Sequence, residues 1–182
     1  LRQALSKGPR VTVPVRWMPI REFPLDDPRT WESLAAEVRG FCLLSSVQAV
    51  FASRLIESLR QEVQEGQALV VARADSGRDR RSRRSNLRVK VRAGRLVSIT
   101  SRQDDATLVV TDLVVLPASF MSGVGQVGVE AGTMPIRRWL ERAAVDGYVR
   151  VLSTETNRSH WYQDVRDAAD VQAAEKKLFN SL

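Results

Sequence analysis

Hydrophobic residues along the chain follow two different spacings. The apolar runs at 41–44 and 68–72 are short and continuous, which is typical of strands that are covered on both faces. Between these runs, apolar residues recur at every fourth position from Val47 to Leu59, and this spacing predicts a helix over 47–63. A strand, a helix and a strand joined by short loops form a βαβ unit, whose two strands should run parallel.

The pattern changes to strict alternation in the middle of the chain. Residues 87–92 and 95–100 alternate apolar and polar side chains, and Ala93-Gly94 lies between the two stretches. Alternation with a period of two predicts strands with one exposed face, so we expect a β-hairpin here whose exposed face is basic.

Residues 107–142 carry two short motifs. An apolar strand led by Thr107 is followed by a helix of small residues within 117–123 and by a later helix that contains Trp139-Leu140. This succession resembles the second half of a BRCT domain, in which a "T-H-L-V-V" strand and a late "W-L" helix are the best-known marks.

The resemblance implies a fold and a division of the chain. The BRCT pattern covers residues 41–147 and implies an α/β fold, with a small four-stranded parallel sheet flanked by helices. The basic hairpin would be an insertion at 73–102. Residues 1–40 would form an N-terminal extension that packs on the domain, and residues 148–182 would add a C-terminal strand and helix.

The resemblance also implies a function. BRCT domains are interaction modules rather than enzymes, and many bind phosphoserine or phosphothreonine. The implied role is therefore a non-enzymatic module that binds a phosphorylated protein or peptide, within a chromosomal protein of the kinetochore. That role implies a nuclear location, with DNA and microtubules as partners of the whole protein.

A phosphate site follows from the same resemblance. It places the hydroxyl of Ser45 and the backbone N–H of Ser46 around the oxyanion, at the first strand-helix turn. The lysine that the family carries at the start of its second helix is missing, since no Lys or Arg occurs from Thr111 to Ile136. Lys90 or Arg92 of the hairpin would have to replace it. A capping pair of serines with no ligand is the alternative.

Positive charge is concentrated in one segment. The chain has a net charge of +7, and the window 73–95 alone holds ten basic residues against two aspartates. Its densest part contains Arg78, Arg80, Arg81, Arg83 and Arg84. Such a cluster attracts acidic partners, so DNA, RNA or the acidic tails of tubulin are candidates. The alternative is a solvated loop that binds nothing specific.

Other classes of site find little support in the sequence. Cys42 and His160 are the only cysteine and the only histidine, so a Cys/His metal centre or nucleophile pair is not expected. No catalytic constellation and no glycine-rich phosphate loop is recognisable, and no cofactor is expected. No apolar run reaches the roughly 18 residues of a membrane span. A purely architectural docking domain and a nucleic-acid-binding domain remain alternatives, and the sequence does not define the oligomeric state.

Overall fold

A computed structural model describes residues 28–46, 48–74, 88–100, 108–126, 135–157 and 159–180. The described helices are α1 (Pro28–Glu37), α2 (Ser53–Glu62), α3 (Ala118–Gln126), α4 (Pro135–Val145) and α5 (Ala168–Phe179). The strands are β1 (Phe41–Leu44), β2 (Ala49–Phe51), β3 (Ala68–Ala74), β4 (Arg88–Arg92), β5 (Arg95–Thr100), β6 (Leu108–Pro117), β7 (Val149–Ser153) and β8 (Tyr162–Asp164). A short 3-10 helix spans Thr154–Thr156.

Six of these strands form one sheet in the order β1-β6-β3-β7-β5-β4. Strand β4 also pairs with β6, so β3, β6, β4, β5 and β7 close into a ring that resembles a small barrel. Among the described strands, β3 and β7 form the only parallel pair, and the other pairs are antiparallel. Strands β2 and β8 form a separate two-stranded sheet.

The prediction of a four-stranded parallel BRCT sheet is therefore wrong. The βαβ order is present, because β1 and β3 both run antiparallel to β6 and hence parallel to each other. However, β6 lies between them. The parallel pairing of all four strands was an implication of the BRCT resemblance, and β6 contradicts it. The apolar run at 68–72 is buried in β3 as expected, whereas Phe41 and Leu43 of the edge strand β1 are 44% and 41% exposed.

The basic hairpin is present, but it belongs to the closed sheet and is not an appendage. Val89 and Leu96 on its inner face are 0% and 2% exposed. Ala93 and Gly94 both have positive φ, at 51° and 73°, which is the backbone of a tight two-residue hairpin turn. The alternation in the sequence thus predicted the two strands, whereas their partners β6 and β7 are distant in sequence.

The predicted helix over 47–63 is shorter than expected. Its first part is strand β2, which pairs with β8 more than one hundred residues later, and the helix begins only at Ser53. The pairing with β8 therefore overrides the helical spacing of apolar residues at 49–51. Helix α4 is the later helix that was predicted to contain Trp139-Leu140.

Two hydrophobic clusters lie on opposite faces of the sheet. Because successive strand residues point to opposite faces, Val70 and Val71 of β3 belong to different clusters. The first cluster packs against Trp31 of α1 and Trp139 of α4. The second cluster packs against α2 and Tyr162 of β8. None of the described helices is long and apolar enough to cross a membrane.

We predict that Leu113→Ala will lower the free energy of unfolding by about 2–5 kcal/mol, because Leu113 is fully buried in the second cluster. Urea denaturation followed by circular dichroism would measure the loss. Leu43→Ala is the matched control, since Leu43 is 41% exposed and should cost much less. Equal losses from both variants would contradict the assigned burial.

Candidate functional site

Strand β6 departs from regular pairing at one point. Its register against β3 shifts between Val70 and Ala72, so that residues 111–113 of β6 lie opposite Val71 alone. Such a bulge redirects side chains and local backbone away from the regular ladder. Asp112 is at the centre of this bulge, and it is the one charged residue in a strand of ten.

The bulge is held in place by the buried side chain of Thr111. Its hydroxyl donates to the carbonyl oxygen of Val71 at 3.0 Å and accepts from the N–H of Leu113 at 3.2 Å. The hydroxyl therefore replaces part of the backbone pairing that the bulge interrupts. Asp112, between the buried Thr111 and Leu113, is the exposed residue of the bulge.

Strand β8 lies beside the bulge. The hydroxyl of Tyr162 accepts a hydrogen bond from the backbone N–H of Asp112 at 3.4 Å. Two residues further along β8 is Asp164, which is opposite Ala49 in the short antiparallel sheet. The pairing of β2 with β8 thus brings a second carboxylate to the neighbourhood of Asp112.

The site lies beside the carboxyl ends of two strands, β1 and β7, whereas β3 continues past it to Ala74. Strands β1, β3 and β7 run in one direction, and β1 ends at Leu44, opposite Val114 of β6. Ser45 and Ser46 therefore leave the sheet towards the part of β6 that carries Asp112.

Electrostatic interactions couple the two carboxylates. Asp112 reaches solvent, yet its partial burial raises the pKa of its carboxyl, the charge of Asp164 raises it further, and Arg166 opposes both effects. Arg166 forms an ion pair with one carboxylate oxygen of Asp164. The other oxygen, Oδ1, is buried and has no hydrogen-bond partner among the described residues.

Tyr162 remains a neutral phenol in this environment. Burial and the nearby charge of Asp112 raise the pKa of Tyr162 to about 12. The hydroxyl therefore keeps its proton at neutral pH. It can accept from the Asp112 backbone and still donate to a ligand.

Helix α5 fixes β8 and the segment after it. Asp167 caps the helix by accepting from the N–H of Asp170 at 3.0 Å, and Asp170 in turn accepts from the backbone N–H of Arg166 at 3.0 Å. Near the other end of α5, Lys177 donates to the carbonyl of Tyr162 at 3.3 Å and to the side-chain oxygen of Gln163 at 3.0 Å. Burial, and then the charge of Arg73, lowers the pKa of Lys177.

The fold is shared with known transferases. The inositol-1-phosphate CTP transferase from T. maritima is 17% identical, with a TM-score of 0.57, over 82% of this chain and 59% of the transferase. A protein from Bacillus anthracis, named as a glucose-1-phosphate thymidylyltransferase and solved in complex with a sucrose, is 12% identical with the same TM-score and coverage. No protein-family model and no curated protein matches the sequence.

At these identities the likeness establishes a nucleotidyltransferase-like fold. The present chain covers 59% of the length of each of these two neighbours. The BRCT assignment is wrong, because the neighbours are nucleotidyltransferases and the sheet is mixed and barrel-like. The phosphopeptide-binding kinetochore module and the expectation of a non-enzymatic protein are corrected with it, since both were drawn from that family. The nuclear location remains a prediction that no observation tests.

The structure does not bring the predicted phosphate ligands together. The Ser45 hydroxyl donates to the carbonyl of Ser46, and the Ser46 hydroxyl accepts from the N–H of Gln48. Helix α2 begins only at Ser53, so no helix N-terminus directly follows these serines. Lys90 and Arg92 lie on β4, which pairs with the start of β6 at residues 108–109. About five residues of β6, which span roughly 16 Å, separate this pairing from the part of β6 that Ser45 and Ser46 approach.

The arginine cluster of the sequence lies outside the described residues. It comprises Arg78, Arg80, Arg81, Arg83 and Arg84. Binding of DNA or of acidic protein tails by this cluster therefore stays a prediction.

Sequence reasoning missed Asp112, Tyr162, Asp164 and Arg166. One signal was available: a Thr-Asp pair interrupts an otherwise apolar strand at 108–117. A carboxylate in such a strand needs either a partner or a function. The role of Asp164 had no such signal, because it depends on the pairing of β8 with β2.

The raised pKa of Asp112 gives a testable dependence of stability on pH. The folded protein binds this proton more tightly than the unfolded chain, so the free energy of unfolding should fall as pH rises through the range between the two pKa values. Asp112→Asn removes this penalty. We expect the variant to be more stable than the wild type at pH 7.

The difference in stability should shrink as pH falls below about 4, where Asp112 is protonated in both states. Melting temperatures of the two proteins between pH 3 and pH 7 would measure it. Any difference that remains at pH 3 reports the non-electrostatic effect of the substitution and serves as the control. A difference in melting temperature that is constant from pH 3 to pH 7 would contradict the raised pKa of Asp112.

Proposed function

We propose that this protein takes part in nucleotidyl transfer to a phosphorylated polyol or sugar, and that the Asp112–Asp164 site binds the phosphorylated acceptor with a divalent cation. The observation that carries the proposal is the meeting of two carboxylates from β6 and β8 beside the β6 bulge, in a fold found in nucleotidyltransferases. A structural ion pair alone would need one carboxylate and Arg166. The charge of the second carboxylate, Asp112, repels that of Asp164 and so destabilises the fold. Such repulsion is typical of a binding site.

The carboxylates are suited to a magnesium ion. Mg²⁺ is usually held by one or two protein carboxylates, with water and substrate phosphates completing its coordination. Asp164 Oδ1 is buried without a hydrogen-bond partner in the described part, and the Asp112 carboxylate reaches solvent. Among the same residues no group of three or more metal-binding side chains occurs, so phosphate oxygens would have to complete the shell. When bound, the ion would neutralise phosphate charge.

The reaction proposed for the whole protein is a displacement at phosphorus. A phosphate oxygen of the acceptor attacks the α-phosphorus of a nucleoside triphosphate, and the bond from that phosphorus to the bridging oxygen breaks. Pyrophosphate leaves, so the products are a nucleotide-linked acceptor and pyrophosphate. Within this chain, Arg166 orients Asp164, and the protonated Tyr162 hydroxyl can donate to an acceptor oxygen. Helix α5 holds all three residues in place through Asp170 and Lys177.

Calorimetric titration tests the binding step. We expect inositol 1-phosphate or glucose 1-phosphate to bind in the presence of MgCl₂ and to be released by EDTA. Asp112→Asn and Asp164→Asn should each weaken binding by about tenfold or more, since each removes a charged contact. Glu57→Gln, an exposed substitution on α2, is the matched control and should bind as the wild type does.

A second assay addresses the transfer. Pyrophosphate release from CTP or dTTP, measured with each acceptor, should depend on both aspartates. Phosphate-ester binding that is unchanged in both aspartate variants would exclude this site. Because Asp112→Asn is expected to stabilise the fold, weaker binding by that variant could not be attributed to unfolding.

A further inference from the structure

A second concave surface lies far from the carboxylates. It is formed between α3, α4 and the residue before β7, at the amino end of the parallel strands. Its walls include Trp139 and Ala143 of the first hydrophobic cluster, whereas Tyr162 belongs to the second cluster on the opposite face. The cavity measures about 450 Å³ and is lined by Phe120, Gly123, Trp139, Arg142, Ala143, Asp146 and Tyr148. We call it the aromatic cleft.

Three rings form the apolar wall of the aromatic cleft. Phe120 lies between the other two, with ring centroids 5.0 Å from Trp139 and 6.2 Å from Tyr148. Gly123 allows this packing, because a Cβ atom there would lie 3.3 Å from Trp139 Nε1. Tyr148 is 51% exposed. An aromatic ring packed on one side and exposed on the other offers a flat, preformed contact surface.

Two side chains of opposite charge border the rings. Arg142 and Asp146 are one helical turn apart and both line the cleft. Within the described part of the chain, neither side chain forms an ion pair or a hydrogen bond. Asp146 directly follows the last residue of α4, where a negative charge is unfavourable because the carbonyl end of a helix is itself negative. The helix end therefore does not stabilise this carboxylate.

We propose that the aromatic cleft binds a neutral sugar ring. The C–H bonds of a sugar face carry partial positive charge and pack against the negative faces of aromatic rings. Sugar hydroxyls both donate and accept, so one ring can accept from the Arg142 guanidinium and donate to the Asp146 carboxylate. A ligand with a single charge would be repelled by one of these two groups. The cavity volume lies in the range of small-molecule sites.

Saturation-transfer NMR with D-glucose and with sucrose tests the proposal, and EDTA is added so that the cation-dependent site does not contribute. Ring protons of the sugar should receive saturation from the protein. Tyr148→Ala should abolish most of the signal, and Asp146→Asn should weaken binding by about tenfold. Phe179→Ala and Glu57→Gln are the matched controls at other exposed positions, and both should bind as the wild type does.

The variants are expected to stay folded because Tyr148 and Asp146 are exposed, and unchanged melting curves would verify this. Absence of saturation transfer with both sugars would overturn the proposal. So would a signal that persists in both Tyr148→Ala and Asp146→Asn, because the sugar would then be bound elsewhere. The measurement uses unphosphorylated ligands and no metal, so its outcome is independent of the proposed nucleotidyl transfer.

Discussion

The bulge in β6 is the constraint on which the arrangement of the molecule depends. This strand pairs with β1 and β3 and also with β4, so it joins the closed ring to the strand at its edge. A strand with regular pairing would have placed Asp112 in the ladder between covered faces. The shift at Val71, stabilised by the Thr111 hydroxyl, instead brings the Asp112 backbone to Tyr162. The Thr111 hydroxyl therefore links the pairing of β3 with β6 to the position of Asp112 beside Tyr162.

The same site opposes the stability of the fold. Two carboxylates close enough to raise the pKa of Asp112 repel each other, and Arg166 compensates only in part because its ion pair is with Asp164. The surrounding structure must supply the remaining stabilisation. It does so by pairing β8 with β2, and by tying β8 to α5 through Asp170 and Lys177. Repulsive groups held by a rigid surrounding are a common property of binding sites, where a ligand relieves the repulsion.

The sequence predicted the positions of many elements and little of how they pair. Apolar runs and alternation located β1, β3 and the hairpin, because burial and exposure leave a local record in the chain. Strand direction leaves no such record when both faces are covered, so only the BRCT resemblance implied a direction for β6, and its antiparallel pairing with β1 and β3 contradicts that implication. Site residues were harder still. Asp112 could have been noticed as a charge in an apolar strand, but Asp164 becomes a candidate only through the pairing of β8 with β2, which joins segments over one hundred residues apart.

The opposite faces of the sheet differ in the chemistry they offer. On one face, β8 and α5 surround carboxylates, an arginine and a neutral phenol, which suit a cation and a phosphate ester. On the other face, aromatic rings are bordered by one positive and one negative side chain, which suit a neutral polyol. The two surfaces are separated by the sheet, whose strand residues alternate between the two clusters. Tyr148 of the aromatic cleft directly precedes β7, and β3, the parallel partner of β7, runs to the bulge, so these two strands connect the two surfaces.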